Sequence, residues 1–492
     1  MNILKRVNSE RKVVGFIENE KDNVSQAGSA MSSRIGDQHI RAGRLKTREE
    51  NRIFLIPFRD SEAGLSYAQI CKDRSAPFSD SLPIISMKRL STAFVCLGLW
   101  LLSVSTLRAG FILPEGARSV SIPVEIRHNV VLLPIRVNGT MELNFILDTG
   151  VRTTILTEPL LVNFLQFDSI RKVTVRGLGE GDPIEADMAR NVQMELPGGV
   201  VGHNLNLLVL PEGLVSYSNM FGKPVYGIIG YELFGRFGVE INYQQEFVRL
   251  WNPFEMRKFR RWERLPIQVR KGKPYVQATL TDQNGLPHEE DWLLDTGASM
   301  ALSLFDEELN IPAPSIESFL GKGLSGNVYG HLSRMPAFQL GPYKLEGIIT
   351  GFPDIDALGI QAEELGWYGN IGAEVISRFR IVFDYPHRQI IFRKTWGYRR
   401  PFEYNVSGLE LITMGTHYNT FVISYVRPES PAAKVGIQVN DEIVSVNGNP
   451  VEDLSIEDIY GRFHQRRGKT VVIKVRRGNR VFDKRIKLIS EI

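Results

Sequence analysis

The stretch FILDTGVRTTIL (145–156) is an apolar run that reaches Asp-Thr-Gly and then becomes apolar again. A second stretch, WLLDTGASMALSL (292–304), follows the same pattern. Short apolar runs bounded by turn residues are typical of buried β-strands. A carboxylate at the end of such a strand is costly unless it is paired, hydrogen-bonded or protonated. Because the chain contains this arrangement twice, we expect Asp148 and Asp295 to serve one purpose together.

The sequences around the two Asp-Thr-Gly motifs are also repeated. PVYGIIGYELFGRFGVEINYQQEFVRLW (224–251) matches GWYGNIGAEVISRFRIVFDYPHRQIIFRK (366–394). Each copy has an Asn-Gly signal for a two-residue hairpin turn, whose central residues both take positive φ. A matched Gly element follows each motif after about 80 positions. One β-unit is therefore predicted to occur twice. The residues of the hairpin signals and of the Gly elements are Asn138, Gly139, Asn284, Gly285, Ile229, Gly230, Ile371 and Gly372.

Two carboxyl groups from pseudo-symmetric halves can share one proton. Two carboxyl groups that lie close together do not easily ionise at the same time, so one becomes a base and its partner an acid. A water molecule held between them can lose a proton to the ionised Asp while the protonated Asp polarises a peptide carbonyl. The Gly after each Asp allows close approach of the backbone, and the Thr can link the two loops. The pattern predicts acid–base chemistry on a peptide bond.

Each copy contains a glycine-rich hairpin candidate at its middle. The two candidates are VRGLGEGDPIEA (175–186) and LGKGLSGNVYGHL (320–332). One interpretation is a surface turn, and the other is a mobile flap over a cleft. The shared position of the glycines favours the flap.

Composition and motifs argue against several classes of protein. The formal net charge of +4 over 492 residues gives no nucleic-acid footprint, and we interpret the basic run MRKFRRWER (256–264) as a solvated linker. The two cysteines, Cys71 and Cys96, precede the main body, which therefore has no disulfide framework or Cys-based metal site. HExxH, GxSxG and Walker sequences are absent. No metal or cofactor is expected.

The segment MKRLSTAFVCLGLWLLSVSTLRAG (87–110) has the pattern of an export signal. Lys88 and Arg89 are followed by an apolar region and by a small residue, Ala109, at a plausible cleavage point. The apolar run is short for a membrane span, although a buried core helix has a similar length. Either translation begins at Met87 and residues 1–86 are an over-extended or disordered N-terminus, or the segment is an internal signal anchor. Both alternatives predict export, to the periplasm, the cell envelope or the medium.

A further set of motifs follows Trp396. Ser407-Gly408-Leu409 is followed by TFVISYV (420–426), ESPAAKVGI (429–437), NDEIVSVNG (440–448) and SIEDIYGRF (455–463). In this order they resemble a PDZ domain over residues 404–492. Asn440 stands where the family usually has Gly, and Asn tolerates positive φ, so the turn can survive.

The resemblance to PDZ domains carries expectations about binding. PDZ domains add an extended peptide to a sheet edge and capture its terminal carboxylate with backbone N–H groups. By that resemblance, Ser407, Gly408 and Leu409 form the carboxylate-binding loop, and 455–463 is the helix beside the peptide groove. The expected ligand is a peptide or protein tail.

Residues 115–395 resemble the retropepsin and pepsin group of aspartic peptidases, on the strength of ILDTG, LLDTGAS, GIIG and GNIG. A fused pair followed by a PDZ domain is similar to exported bacterial aspartyl proteases that carry a PDZ module. The resemblance implies that Asp148 and Asp295 are the catalytic dyad and that Ile229-Gly230 and Ile371-Gly372 support it. The implied loop residues are Thr149, Gly150, Thr296, Gly297 and Ser299.

The Gly elements depart from the family pattern. Viral enzymes usually carry Arg and then Asp or Asn after this element, whereas this chain has Tyr231-Glu232 and Ala373-Glu374. The usual salt-bridge scheme is therefore in doubt, although Arg236 and Arg378 are candidates for an equivalent partner.

The two motifs also differ from each other. The second reads Asp-Thr-Gly-Ala-Ser, and in the family this Ser bonds the outer oxygen of the Asp. We hypothesise that Ser299 keeps Asp295 ionised as the base and leaves Asp148 as the acid. The first motif has Arg152 in the Ser place; a close approach of Arg152 to Asp148 would reverse the order, and a solvent-facing Arg152 is an equal alternative.

The sequence thus predicts a mostly β protein with a two-lobed acid-protease fold and a PDZ domain. The predicted function is an aspartic endopeptidase acting on an extended peptide, and the alternative is a non-catalytic peptide-binding receptor or scaffold. No nucleic acid is expected as a partner, and a membrane only through the export signal. The predicted boundaries are 1–86 for the N-terminus, 87–109 for the signal peptide, 110–255 and 265–396 for the lobes, and 404–492 for the PDZ domain.

Overall fold

The computed structural model describes residues 109–492 except 168, 176–182, 306–309, 355–367 and 465–467. Residues 1–86, the predicted signal segment apart from Ala109, and most of the first glycine-rich hairpin lie outside the described residues. The prediction of a mostly β protein is confirmed, since strands dominate the described ranges and the helices are short. No helix in these ranges is both long and apolar enough to cross a bilayer.

The first lobe is built on a sheet with the order β1-β9-β6-β10-β5-β4-β8-β7, and β3 pairs with β4. Its apolar residues alternate with exposed ones on the outer strands and are continuous on the inner ones, as expected for strands covered on both faces. The strands are β1 Gly110–Ile112, β2 Ser119–Pro123, β3 Glu125–Arg127, β4 Val130–Val137, β5 Glu142–Leu147, β6 Thr154–Leu156, β7 Ile170–Val175, β8 Ile184–Leu196, β9 Val200–Val209, β10 Gly227–Ile229, β11 Gly238–Asn242 and β12 Phe247–Trp251.

The second lobe repeats this plan with the sheet order β14-β15-β16-β21-β17-β20-β19-β18. In both lobes the strand before Asp-Thr-Gly pairs in parallel with the strand of the Gly element, β5 with β10 and β16 with β21. The strands are β13 Glu263–Pro266, β14 Gln268–Arg270, β15 Lys273–Thr281, β16 Pro287–Leu294, β17 Leu302–Leu304, β18 Ser315–Gly323, β19 Gly326–Leu340, β20 Tyr343–Pro353, β21 Gly369–Ile371, β22 Phe379–Asp384 and β23 Gln389–Lys394.

A third sheet joins the two lobes. Its order is β13-β23-β22-β11-β12-β2, and the antiparallel pair of β11 and β22 carries it from one half to the other. Glu240 on β11 is fully buried there and accepts a hydrogen bond from Arg380 Nε at 2.6 Å on β22. This shared sheet fixes the two Asp-Thr-Gly loops relative to each other.

Short helices connect the strands of all three units. The 3₁₀ helix Pro253–Phe259 includes the start of the basic run 256–264, which we interpreted from the sequence as a solvated linker. That interpretation is wrong in part, because a 3₁₀ turn places residues three apart on one face, and Met256 and Phe259 are both buried. The α-helices are α1 Val162–Leu165, α2 Tyr217–Phe221, α3 Tyr231–Phe234, α4 Ala373–Ile376, α5 Pro431–Lys434 and α6 Ile456–Phe463; the 3₁₀ helices are Pro159–Leu161, Pro253–Phe259, Tyr385–His387, Trp396–Arg399 and Val451–Asp453.

The two Asn-Gly hairpins are longer than predicted. In the first, Asn138 and Gly139 both take positive φ, but the loop runs over residues 138–141. In the second, only Gly285 does so. The Asp282 carboxylate accepts hydrogen bonds from the backbone of Asn284 at 2.9 Å and Leu286 at 2.8 Å and thereby stabilises a different loop.

The C-terminal unit is a sheet with the order β24-β25-β26-β28-β29, in which β27 pairs with β26. Helix α6 covers the predicted 455–463 segment and begins with a capping box between Ser455 and Asp458. Asn440 has φ of 69°, as predicted from its replacement of Gly. The strands are β24 Leu409–Met414, β25 Thr420–Val426, β26 Glu442–Val446, β27 Asn449–Pro450, β28 Thr470–Arg477 and β29 Arg480–Lys487.

Candidate active site

The two Asp-Thr-Gly loops follow β5 and β16, and the Gly elements hold both of them. Asp148 N–H donates to the carbonyl of Ile229 at 2.8 Å, and Asp295 N–H donates to that of Ile371 at 2.9 Å. Only glycine fits at the next position of either element. A Cβ at Gly230 would lie 2.1 Å from the carbonyl oxygen of Asp148. The repeated Gly elements are therefore supports for the loops.

The two threonines link the loops to each other by a reciprocal set of hydrogen bonds. Thr149 N–H donates to Thr296 Oγ1 at 3.0 Å, and Thr296 N–H donates to Thr149 Oγ1 at 3.0 Å. Each hydroxyl also donates to a carbonyl of the opposite strand, Thr149 to Leu294 at 2.6 Å and Thr296 to Leu147 at 2.8 Å. Both threonines are buried. This network sets the distance between the two aspartates.

The carboxyl groups of Asp148 and Asp295 lie next to each other, both against Gly150. The glycines of the motifs leave room for this contact. A Cβ at Gly297 would lie 2.4 Å from Asp148 Oδ2, and one at Gly150 would lie 3.0 Å from Asp148 Oδ1. The structure thus brings the predicted pair together, with the six residues of the two Asp-Thr-Gly motifs around one point.

The hydrogen-bond donors to the two carboxyls differ. Asp148 Oδ1 accepts from Gly150 N–H at 2.6 Å. Asp295 Oδ1 accepts from the N–H groups of Gly297 at 3.0 Å and Ala298 at 3.2 Å, and its Oδ2 accepts from Asn370 Nδ2 at 3.0 Å. Hydrogen bonds to the charged form of a carboxyl favour that form. The larger donor set therefore favours ionisation of Asp295.

The acidities of the pair follow from burial and from this difference. Burial raises the pKa of both carboxyls above the ordinary Asp value, and the neighbouring Asp295 raises the pKa of Asp148 further. The backbone donors of Gly297 and Ala298 act in the opposite direction on the pKa of Asp295. A singly protonated pair with the proton on Asp148 is the expected state, which is the order that the sequence predicted.

A cation also acts on the pair. The charge of Lys273, the half-buried first residue of β15, lowers the pKa of both Asp148 and Asp295. Strand register makes Val130 its counterpart in the first lobe, because Arg127 pairs with Val130 and Arg270 pairs with Lys273. Lys273 therefore introduces a charge that the pseudo-symmetry does not require.

The structure does not give Ser299 the role that was predicted for it. Its side chain is exposed, and its carbonyl accepts from Asn129 Nδ2 at 3.3 Å. Asn370, in the Gly element, donates to Asp295 Oδ2 in its place. Sequence reasoning missed Asn370, because nothing in the spacing shows that β21 presents this residue to Asp295. The only sequence signal is the difference between GNIG and GIIG in the two Gly elements.

The arginines considered from the sequence have separate positions. Arg152 is exposed and packs beside the Gly272 turn, where a Cβ would lie 3.5 Å from its Cγ. Arg378 pairs with Glu374 at 3.5 Å, as expected for an equivalent salt bridge. Arg236 does not do so with Glu232, because its Nε donates to the carbonyl of Phe111 at 3.0 Å.

The second glycine-rich hairpin is formed by β18 and β19, with Leu324 in its turn. Leu324 packs against an apolar cluster of the first lobe that includes Tyr217 and Phe221. Burial and the charge of the Asp148 carboxyl raise the pKa of Tyr217, a member of this cluster. A hairpin of the second lobe thus reaches the first lobe at the cluster that contains Tyr217, as a flap would and an isolated surface turn would not.

Comparisons with known proteins agree with this geometry. Residues 133–233 match the family model for aspartyl proteases, and residues 422–477 match that for PDZ domains. The first match includes Asp148 and the first Gly element, and Asp295 lies outside it. Among curated proteins, none matches this sequence significantly.

Two solved structures show limited similarity. The photosystem II D1 C-terminal processing protease has 24% identity over 16% of this chain and 22% of its own length, with a TM-score of 0.16. The basic 7S globulin from soybean has 11% identity over 58% of this chain and 97% of its own, with a TM-score of 0.34. Such TM-scores carry no argument about fold or activity. By its family matches, the chain contains an aspartyl protease domain followed by a C-terminal PDZ domain.

Proposed function

We propose that this protein is an aspartic endopeptidase with Asp148 and Asp295 as its catalytic pair. The observation that supports this most directly is the close approach of two half-buried carboxyls, held by the reciprocal threonine network. A pair that shares one proton offers a base and an acid on the two sides of a bound water molecule.

The proposed reaction proceeds through a tetrahedral intermediate. Asp295 accepts a proton from the water, whose oxygen attacks the peptide carbonyl carbon, while Asp148 donates its proton to the carbonyl oxygen. The resulting gem-diol collapses when one hydroxyl loses a proton to the aspartate pair and the amide nitrogen gains a proton. The C–N bond then breaks and yields a carboxylic acid and an amine. The hairpin of β18 and β19 would cover an extended substrate.

Cleavage of a mixed peptide library by the purified protein tests this proposal. Cleavage is expected for the wild type, and it should disappear in Asp148→Asn, in Asp295→Asn and with a pepstatin-type inhibitor. The cleaved bonds can be identified by mass spectrometry. Tight peptide binding with no cleavage at any pH would contradict the proposal and support a non-catalytic receptor.

We also propose that the protein is exported and that Met87 is its translation start. The charged, apolar and small-residue order of residues 87–109 supports this. N-terminal sequencing of the protein from its native cells should give a start close to Gly110. A mature N-terminus within residues 1–86 would contradict the proposal.

Recruitment of a substrate tail by the PDZ domain was predicted from the sequence. It requires free backbone donors in the loop and an open edge on β24. The contacts of this groove favour another use.

A further inference from the structure

The peptide groove of a PDZ domain lies between a sheet edge and the neighbouring helix. Among the strands that the structure describes, the edge strand is β24, which pairs on one side only, with β25. The helix is α6, and its residues Ile456 and Tyr460, one turn apart, lie on the same face. We refer to the space between β24 and α6, with the loop 407–409, as the PDZ groove.

Three backbone donors at the loop end of the PDZ groove already have acceptors within the domain. Ser407 N–H donates to Asn405 Oδ1 at 3.1 Å, and Leu409 N–H donates to Ser407 Oγ at 3.2 Å. Leu411 N–H donates to Tyr460 Oη at 2.9 Å, across the groove. A peptide carboxylate would have to displace these acceptors to be held there.

A carboxyl group of the chain itself occupies this end of the groove. Tyr460 O–H donates to Glu410 Oε2 at 2.8 Å, and Asn405 also contacts Glu410. Burial raises the pKa of Glu410 to about 7, against which the bonds from Tyr460 and Asn405 favour the charged form. A second carboxylate brought beside Glu410 would be repelled at neutral pH. The loop is thus unsuited to a terminal carboxylate.

The first lobe contacts both walls of the groove. Thr413 Oγ1 on β24 donates to the carbonyl of Asn219 in α2 at 2.9 Å. Gly222, at the end of α2, lies against both walls, since a Cβ there would be 3.4 Å from Ile456 Cγ2 and 3.5 Å from Thr413 Cγ2. The segment 217–222 therefore lies along the edge that a peptide would use.

Two more first-lobe residues contact α6. The ring of His128 packs edge-on against the ring of Tyr460 with centroids 5.2 Å apart. Arg127 Nε lies 3.4 Å from Glu457 Oε1. Ligand-facing residues of the helix are thus in contact with the turn between β3 and β4. Shape, a hydrogen bond and charge all match at one surface.

We propose that the ligand of the PDZ groove is the chain's own first lobe, through residues 217–222 and the turn at Arg127 and His128. The groove does not capture a free peptide carboxylate in the intact protein. The PDZ domain instead holds the wall of the cleft that carries Tyr217.

A contact with the second lobe extends this inference. Tyr425 on β25 packs against Phe319 and Tyr329 of the β18–β19 hairpin, with ring centroids 6.2 and 5.9 Å apart. The PDZ domain therefore touches the α2 wall of one lobe and the hairpin of the other. If the proposed peptidase activity is correct, docking of the PDZ domain sets the width of the substrate cleft.

Hydrogen–deuterium exchange on the full chain tests the docking without reference to activity. Arg127→Glu places like charges beside Glu457, and exchange in residues 217–222 and 409–414 should rise about fivefold to tenfold together. Adding Glu457→Arg should restore protection. Arg118→Glu, at an 83% exposed side chain that faces Glu255, is the matched control and should change neither segment. Unchanged exchange in Arg127→Glu would overturn the proposal, as would a rise in only one of the two segments.

A peptide-binding experiment tests the excluded ligand. The Asp148→Asn protein is immobilised, so that peptides are not cleaved. Two forms of one random peptide library are passed over it, one with free C-terminal carboxylates and one with amidated C-termini. Equal retention of the two libraries is expected. Selective retention of carboxylate-terminated peptides, with protection of residues 409–414, would overturn the proposal. If the wild type cleaves no peptide, the peptidase function is contradicted. The exchange and peptide-retention measurements would still test the docking, because neither depends on cleavage.

Discussion

Asn370 shows how one side chain can distinguish two otherwise similar aspartates. Its counterpart in the first Gly element is Ile228, which has no donor to offer. The bond from Asn370 Nδ2 to Asp295 Oδ2 favours the ionised form of that carboxyl. The division of roles between acid and base therefore depends on a residue outside both Asp-Thr-Gly motifs.

Replacement of Asn370 by Leu should raise the pKa of Asp295. A hydrogen bond to a charged group contributes about 1.5–3 kcal/mol, which corresponds to roughly one to two pKa units. The acidic limb of the kcat/KM profile requires ionised Asp295, so it should move to higher pH by about that amount. Ser299→Ala is the matched control and should leave the limb in place. A shift in Ser299→Ala without one in Asn370→Leu would restore the role first predicted for Ser299.

Replacement of Lys273 should move both limbs of the pH profile of kcat/KM. Its positive charge stabilises the ionised forms of Asp148 and Asp295 and lowers both pKa values. Lys273→Met removes this effect, so both limbs should shift to higher pH, by about half a unit or more at a half-buried site. Lys271→Asn, at an exposed neighbouring position whose positive φ Asn tolerates, serves as the control. Equal shifts in the two variants would show a general charge effect only.

At the scale of elements, two parallel strand pairs carry the site. β5 with β10 and β16 with β21 each bring an Asp-Thr-Gly loop against a Gly element about 80 residues away in sequence. The loops then meet through Thr149 and Thr296, which are buried between the lobes. These contacts hold the two Asp-Thr-Gly loops against each other.

The contribution of the hydrogen bonds between Thr149 and Thr296 should be measurable in the free energy of unfolding. Thr149→Val leaves the N–H of Thr296 and the carbonyl of Leu294 buried without this partner, at a cost of about 2–4 kcal/mol in the free energy of unfolding. Thr350→Val is the matched control, because Thr350 is equally buried and its hydroxyl has no hydrogen-bond partner in the described part of the chain. Urea denaturation followed by fluorescence gives both values. Equal losses in the two variants would argue against a special role of the link.

At the scale of the whole molecule, the second lobe and the PDZ domain each contain a half-buried carboxyl with a raised pKa. Glu374 lies beside Arg378 under the second Gly element, and Glu410 lies in the PDZ groove. Burial raises the pKa of each to about 7. Acids of this kind make the stability of the protein depend on pH.

The free energy of unfolding should fall between about pH 4.5 and pH 7. In this window the folded state holds protons on Glu374 and Glu410 that the unfolded state has already lost, so stability decreases as the pH rises. A shift from 4.5 to about 7 gives each group an upper bound of roughly 3.4 kcal/mol at about 1.36 kcal/mol per pKa unit, and partial exposure to solvent reduces the sum to a few kcal/mol. Glu410→Gln should flatten the slope, as measured by thermal unfolding at several pH values. A slope unchanged in Glu410→Gln would exclude this carboxyl as a cause.

Much of this protein could be predicted from local patterns. Apolar runs ending in Asp-Thr-Gly, the repeated Gly elements and the order of the PDZ motifs are properties of neighbouring residues, and they determine strands, turns and the duplication. These patterns also predicted that Asp148 and Asp295 lie together, because two copies of one unit that pack about a pseudo-two-fold axis bring equivalent residues to that axis. The donors around those aspartates could not be predicted in the same way.

The sequence by itself determined the two lobes, the acidic pair and the PDZ domain. The tertiary structure alone decided that Asn370 and not Ser299 bonds Asp295, that Lys273 acts on the pair, and that the PDZ groove contacts the first lobe. The physical reason is that strand periodicity specifies which face a side chain takes and not which distant strand or domain it meets. Those partners are set by sheet register and by the packing of whole units against each other.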